Sequence, residues 1–126
     1  DQSTSATWGC QVVTGADGFN IFEGSTNTNI IINNACNTIG IAADLCAGYS
    51  INGYSDWFLP SASELQQLSN NLTIVNGSIN SNGGTTIGTT GAYWSSTETD
   101  SNNAIVGSVS SDNKLSTHSV RAIRAF

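Results

Sequence analysis

Three carboxylates in this chain stand where chemistry could be done. Asp56 and Glu64 lie eight residues apart in GYSDWFLPSASEL, and Glu98 closes YWSSTE. Paired carboxylates can divide acid and base roles or flank a glycosidic bond. They can equally accept hydrogen bonds and ion pairs, and Arg121 and Arg124 are available as partners. The structural role is the expected one, since a pair of this kind fixes geometry. His118 with Ser95 or Ser96 and an acid could be written as a triad, but THSVR offers no nucleophile-elbow pattern around it. Cys46 has only the same His118 to activate it. Glu98, Asp100, Asn102 and Asn103 in TETDSNN are oxygen ligands of the kind calcium takes, although loops of this composition are common. Zinc is disfavoured, because there is no CxxC pair and only one histidine. No catalytic residue and no metal ligand is assigned, no cofactor is called for, and the chain is expected not to be an enzyme.

The composition narrows the partners. At 126 residues the chain is read as one domain, 1–126, long enough to bury a sizeable core. Lys114, Arg121 and Arg124 are its only basic residues against nine acids, for a formal net charge of -6. Nucleic-acid binding needs a basic footprint, and none can be assembled. Anionic membranes and sulfated glycans are disfavoured for the same reason. No apolar run approaches the ~18 residues of a membrane span, and no signal-peptide pattern opens the chain. Fifteen asparagines and thirteen glycines, with many Ser and Thr, replace the usual charged surface. The well-spaced aromatic and aliphatic residues argue for a folded, extracellular-type domain with a neutral, hydrogen-bonding skin.

The elements that must position these groups follow from spacing. Trp57, Phe58 and Leu59 have the bulk of a buried strand, opened by a turn at Gly53 and ended by Pro60. Ser61 and Glu64 form a capping-box signature, and Leu65, Leu68 and Leu72 repeat at helical spacing, so a helix is expected over 62–71. A shorter helix is expected to start at Thr38 and run through Ala47, with Ile41, Ala42, Leu45 and Cys46 as its apolar stripe. WGCQVVT (8–14) reads as a first strand, GADG and EGSTNTN as loops, and 29–32 as a short strand. Residues 73–91 read as a long loop with weak strand character. AYWSSTE and NAIVGSVSS read as one strand each, and the terminal SVRAIRAF as another, alternating Val120, Ala122 (or Ile123) and Phe126. Two helices followed by antiparallel strands make the chain α+β.

Three cysteines allow one disulfide and leave one over. On a helix from Thr38 to Ala47, Cys36 and Cys46 lie roughly 13 Å apart along the axis at ~1.5 Å per residue. A disulfide tolerates about 7 Å between Cα atoms. Cys10–Cys36 is therefore expected, stapling the first strand to the loop before the helix, with Cys46 a small buried hydrophobe.

YSDWFLPSASEL, then YWSSTE, then VRAIRAF resembles, in that order, the DUF1566 family. This bacterial and phage domain family is typified by the C-terminal domain of the Legionella collagen-like adhesin. DW-x-LP-x-x-x-EL together with YWSS-x-E is specific, and the resemblance spans about Trp8 to Phe126. It implies a C-type-lectin-like fold with paired terminal strands, two short helices packed on antiparallel strands, and a long loop region that carries the ligand. Asp56, Trp57, Leu59, Pro60, Glu64, Leu65, Trp94, Ser95, Ser96, Glu98, Arg121 and Arg124 match motif positions. Two departures stand out. Ile105 and Val109 occupy positions where relatives often carry aromatics, and the basic surface of the sulfated-glycan-binding adhesin is absent. Some similar members are retroelement-diversified variable proteins or phage receptor-binding proteins.

The tract at 97–119, TETDSNNAIVGSVSSDNKLSTHS, lies between the YWSS and VRAIRAF motifs and carries small, adaptable polar residues like those of a paratope. Many of its residue types are also reachable from an asparagine codon by adenine-directed change, which the nucleotide sequence would test. Ligand contact is expected at Thr99, Asp100, Ser101, Asn102, Asn103, Ser110, Asp112, Asn113, Ser116 and His118, and the plain alternative is a polar hairpin without a role. The frame is expected from Asp56, Trp57, Pro60, Glu64, Trp94, Glu98, Arg121 and Arg124. The reading is an extracellular, cell-surface or virion-displayed receptor-binding domain. Its partner is a cell-surface glycan or protein, met without nucleic acid or membrane insertion, and as an oligomer or fused to a fibre or filament. The alternative is a structural subunit or cap of a filament or trimeric fibre.

Overall fold

In a computed structural model, every residue is described except Ala35 and Phe126, so the expected role of Phe126 in the last strand lies outside the described residues. The architecture is α+β. Its elements are β1 (Ser3–Thr7), α1 (Gly24–Asn33), α2 (Ala42–Ala47), α3 (Ala62–Asn70), α4 (Leu72–Ser81), a 3-10 turn (Thr90–Ala92), β2 (Trp94–Glu98), β3 (Asn103–Val106), β4 (Ser110–Asn113) and β5 (Thr117–Val120). β1 pairs antiparallel with β5, and β2, β3 and β4 form an antiparallel sheet in that order. None of the described helices is long and apolar enough to cross a membrane.

The core forms where the sequence motifs meet. Trp8, Ile31, Cys36, Leu59, Trp94 and Val120 are wholly buried together. Trp8 and Trp94 also bond the frame: their ring N–H groups donate to the Ser95 and Ala6 carbonyls, both at 2.8 Å. Ser61 caps α3, with the reciprocal Ser61–Glu64 capping box present. The expected turn at Gly53 is present too, with φ of 53° at Asn52 and 81° at Gly53 between the bridged residues Ile51 and Tyr54. Positive φ at both central residues is the geometry Asn-Gly tolerates best.

Several elements differ from the expectation. Residues 24–33 are a helix, not a loop and a strand: Asn27, Thr28 and Ile31 turn inward, and Thr28 Oγ1 accepts the Leu59 N–H at 3.0 Å. A Cβ at Gly24 would stand 2.8 Å from the Leu59 carbonyl, so glycine lets this helix lie directly on the LPS segment. Residues 72–81 are also helical. Val75 and Ile79 pack toward Leu65, Ile87 and Tyr93, and the Asn76 amide clamps both backbone groups of Ile87 at 2.8 and 2.9 Å.

The described residues thus form four α-helices where two were expected. The first strand is Ser3–Thr7, and Trp8–Thr14 is irregular. The WFL stretch makes one bridge, Phe58 to Ile123, instead of a strand. NAIVGSVSS folds back at Gly107 (φ 64°) into two strands, and the terminal strand stops at Val120. α2 starts at Ala42 with Ile41, not Thr38, at its N-cap.

The Cys10–Cys36 disulfide is formed, with Cα atoms 5.4 Å apart, and Cys46 is free and buried. Because Cys36 lies outside α2, its separation from Cys46 comes from the tertiary path of the chain, not from helical rise.

Candidate functional site

The tract 97–119 is rooted in a buried ion pair. Glu98, the last residue of β2, accepts the Thr14 N–H at 2.8 Å, the Gly15 N–H at 3.0 Å and the Thr14 hydroxyl at 3.2 Å. Lys114 completes the shell. Its side chain is 0% exposed, donates to Glu98 and to the Val12 carbonyl, and sits 4.6 Å from the centre of the Trp8 ring. Its backbone ties the two ends of the hairpin to the frame, since Lys114 N–H donates to Asn102 O and Lys114 O accepts from Trp8 N–H. Burial pushes the Glu98 carboxyl up. The Lys114 hydrogen bond, the two backbone N–H groups and the Lys114 charge outweigh that and hold it below the usual glutamate range.

Lys114 lies in the tract where ligand contact is expected, yet its side chain is buried. Its partners Trp8 and Val12 are about a hundred residues away in the chain, beyond the reach of local pattern. The available signal was scarcity: a lone lysine near the glutamate of a specific motif, in a chain with few charges.

Above this root the tract is a hairpin in register Asn103 to Asn113 through Val106 to Ser110. Most of the polar residues expected to contact ligand are engaged in shaping it. Asp100 accepts from the N–H groups of Asn102 and Asn103, both at 2.8 Å, and from the Asn103 side chain. Those bonds, the Asn103 side chain foremost, hold its carboxyl below the ordinary aspartate range. Asn113 Oδ1 accepts from Leu115 N–H and from the Gln11 amide. Asp112 meets His118 Nε2 at 2.8 Å, which with the Asn113 N–H depresses its pKa. The His118 ring packs edge-on to Trp94 at 4.6 Å. Thr99 and Ser111 join hydroxyls across the hairpin at 3.3 Å. Asn102 and Ser110 are exposed, while Ser101 and Ser116 are half-buried. Sequence reasoning missed the two aliphatic side chains that project most, Val109 (84% exposed) and Leu115 (57%).

The residues considered for chemistry do not converge. Ser95 Oγ accepts from Thr97 N–H and Ser96 Oγ from the Asn27 amide, while His118 faces Asp112 and Trp94. Burial pushes the Cys46 thiol far up. Glu98 is committed to the core and Asp100 to its turn, and no group of three or more His, Cys, Asp or Glu that could hold a metal occurs among the described residues.

Of the two arginines expected to partner the motif carboxylates, one does so and the other does not. Arg124 forks onto Asp56 at 2.8 and 2.9 Å and lies 4.0 Å from the Tyr54 ring. That hydrogen-bonded contact lowers the Asp56 pKa and raises that of Arg124. Arg121 instead pairs with Asp1 at 3.1 Å and donates to the Thr85 carbonyl. Glu64 gives its carboxylate to the Ser61 and Phe22 N–H groups. Pro60 is buried and its carbonyl accepts from Ser96 N–H at 2.7 Å, joining the two main motifs. Trp57 is half-buried, its ring edge-on to Tyr49.

No family model, curated protein or solved structure matches this chain. The functional reading rests on the site itself: a short hairpin whose polar and acidic groups hold its shape, on a root that cannot shift without breaking a buried ion pair.

Proposed function

We propose that this chain is an extracellular or virion-displayed binding domain that recognises a cell-surface glycan or protein through the hairpin of residues 97–119. One observation carries the reading. Val109 and Leu115 project from a hairpin whose root is locked by Glu98 and Lys114. A rigid frame lowers the ordering cost of binding, and exposed aliphatic side chains among neutral hydroxyls supply contact area without charge. The Cys10–Cys36 disulfide supports an oxidising location. The paired β1 and β5, the flanking helices and the DWFLPSASEL, YWSSTE and VRAIRAF motifs support a C-type-lectin-like arrangement.

The test is a Val109→Asp, Leu115→Asp double variant, compared with the native chain on an array of cell-surface glycans and on whole cells. Attachment is expected to disappear while the melting temperature stays within a few degrees, as for exposed substitutions. Native attachment should vary little with ionic strength, unlike that of a polyanion binder. Unchanged attachment of the double variant would move recognition elsewhere.

A second reading, a structural subunit of a filament or fibre, is favoured by one feature. Helix α4 has no buried residue, and Ile74 on it is 74% exposed. Contact between copies would cover that face, and sedimentation as a monomer at every concentration would remove this reading.

A further inference from the structure

Apart from the hairpin, a cleft of about 570 Å³ opens where the start of β1, the end of α2, the turn at 84–85 and the segment after β5 meet. Its volume is in the range of small-molecule sites, about 300–1,000 Å³. We propose that it is a binding subsite for one neutral hexose unit. No residue lining it belongs to the tract 97–119, so this inference stands independently of the hairpin reading.

The chemistry of the two walls carries the assignment. One wall is aromatic: Tyr49 and Trp57 meet edge-to-face with ring centres 5.3 Å apart, both half-buried, beside Leu45. Such a wall takes the C–H face of a sugar ring. The other wall is polar and only partly used by the fold. Arg121 spends Nη1 on Asp1 and on the Thr85 carbonyl. Gln2 uses its carbonyl oxygen to accept the Ala122 N–H, which leaves the amide NH₂ for a ligand. The Tyr49 hydroxyl has no hydrogen-bond partner among the described residues. The Asp1 carboxylate takes Arg121 and the Tyr93 hydroxyl and keeps lone pairs for more. Donors and acceptors thus line the same cleft as two aromatic rings, the combination that a ring of hydroxyls with one apolar face complements.

Other ligand classes fit less well. A phosphate, sulfate or carboxylate would have to displace the Asp1 carboxylate, which Arg121 holds at 3.1 Å. A wholly apolar ligand would bury the Gln2 amide and the Tyr49 hydroxyl without partners.

The experiment titrates the isotope-labelled chain with the methyl glycosides of glucose, galactose and mannose and follows the tryptophan indole N–H signals by NMR. At least one glycoside should move the Trp57 signal saturably and leave those of Trp8 and Trp94 in place. Tyr49→Phe keeps the ring and removes only the hydroxyl, and should weaken that binding about tenfold, the loss of one hydrogen bond. Gln2→Glu retains the acceptor for Ala122 N–H and loses the amide donors, and should weaken binding comparably. The Val109→Asp, Leu115→Asp variant should bind the glycoside as the native chain does. Two results would each overturn the proposal: no saturable shift with any of the three glycosides, or native affinity in both Tyr49→Phe and Gln2→Glu.

Discussion

Lys114 and Glu98 make the tract's root a charged pair in a dry place, so truncating one partner strands the other. Breaking a buried pair in this way costs about 3–5 kcal/mol, whereas replacing both members with apolar groups of similar volume can be nearly neutral. Lys114→Ala should therefore destabilise the chain by about 3 kcal/mol, and Lys114→Met with Glu98→Leu should recover much of the loss, as read by chemical denaturation. The pH dependence follows from the direction of the Glu98 shift. Its carboxyl titrates lower in the fold than the ordinary value of about 4.3. A depressed carboxylate contributes stability that is present above the unfolded value and lost as pH falls through the folded one. Denaturation midpoints should fall below about pH 4.5 in the native chain, and fall less steeply in the Met–Leu variant. Equal slopes in both would assign the acid sensitivity to other carboxylates. Arg121→Ala is a milder change, because its partner Asp1 lies on a cleft rim, and should cost at most about 1 kcal/mol.

Helix α4 shows how an element can depend on a side chain that propensity disfavours. Asn76 sits mid-helix, yet its amide satisfies both the N–H and the carbonyl of Ile87, holding the following loop on the Leu65–Tyr93 cluster. Asn76→Ala improves helix propensity but leaves Ile87 without those partners, and should destabilise by about 1–3 kcal/mol. Hydrogen exchange should quicken at 84–88 first, and a stabilised Asn76→Ala variant would refute the clamp. The same physics separates what the sequence showed from what it hid. The capping box at Ser61, the Asn-Gly turn and the strand at Trp94 were legible because each is determined within a few residues. α1 and α4 were not, because Asn, Gly, Ser and Thr make up more than half of each and their helicity depends on packing of Ile31, Val75 and Ile79 against residues outside their own helices. The WFL segment was read as a strand from its bulk, but its depth in the core comes from one bridge to Ile123 and the pairing of Pro60 with Ser96. In the tract, the polar residue types were readable and their hydrogen bonds were not: Asp100, Asn103, Asp112 and Asn113 each hold part of the hairpin's shape.

Across the whole molecule, all three basic residues are in ion pairs: Lys114 with Glu98, Arg121 with Asp1 and Arg124 with Asp56. Nine acids less those three leaves six, the whole of the net charge of -6, so the surface offers no cationic patch to a polyanion. The disulfide connects this frame to the hairpin. Cys10–Cys36 pins the start of the loop that supplies Val12, Thr14 and Gly15, whose backbone groups satisfy Lys114 and Glu98. The bridge spans a sequence separation of 26 residues. By loop-closure entropy, a bridge of that span constrains the unfolded chain by about 3.5 kcal/mol. A Cys10→Ser, Cys36→Ser variant should lose stability of that order. If the loop transmits the constraint to the hairpin root, amide exchange at 98–99 and 112–116 should accelerate more than at β1, β5 or α3, and hairpin-dependent attachment should weaken even at temperatures where the variant stays folded. Hydrogen exchange on the folded variant separates the two effects. Uniform acceleration would mean that the disulfide acts only on global stability, with the Glu98–Lys114 root holding the hairpin unaided.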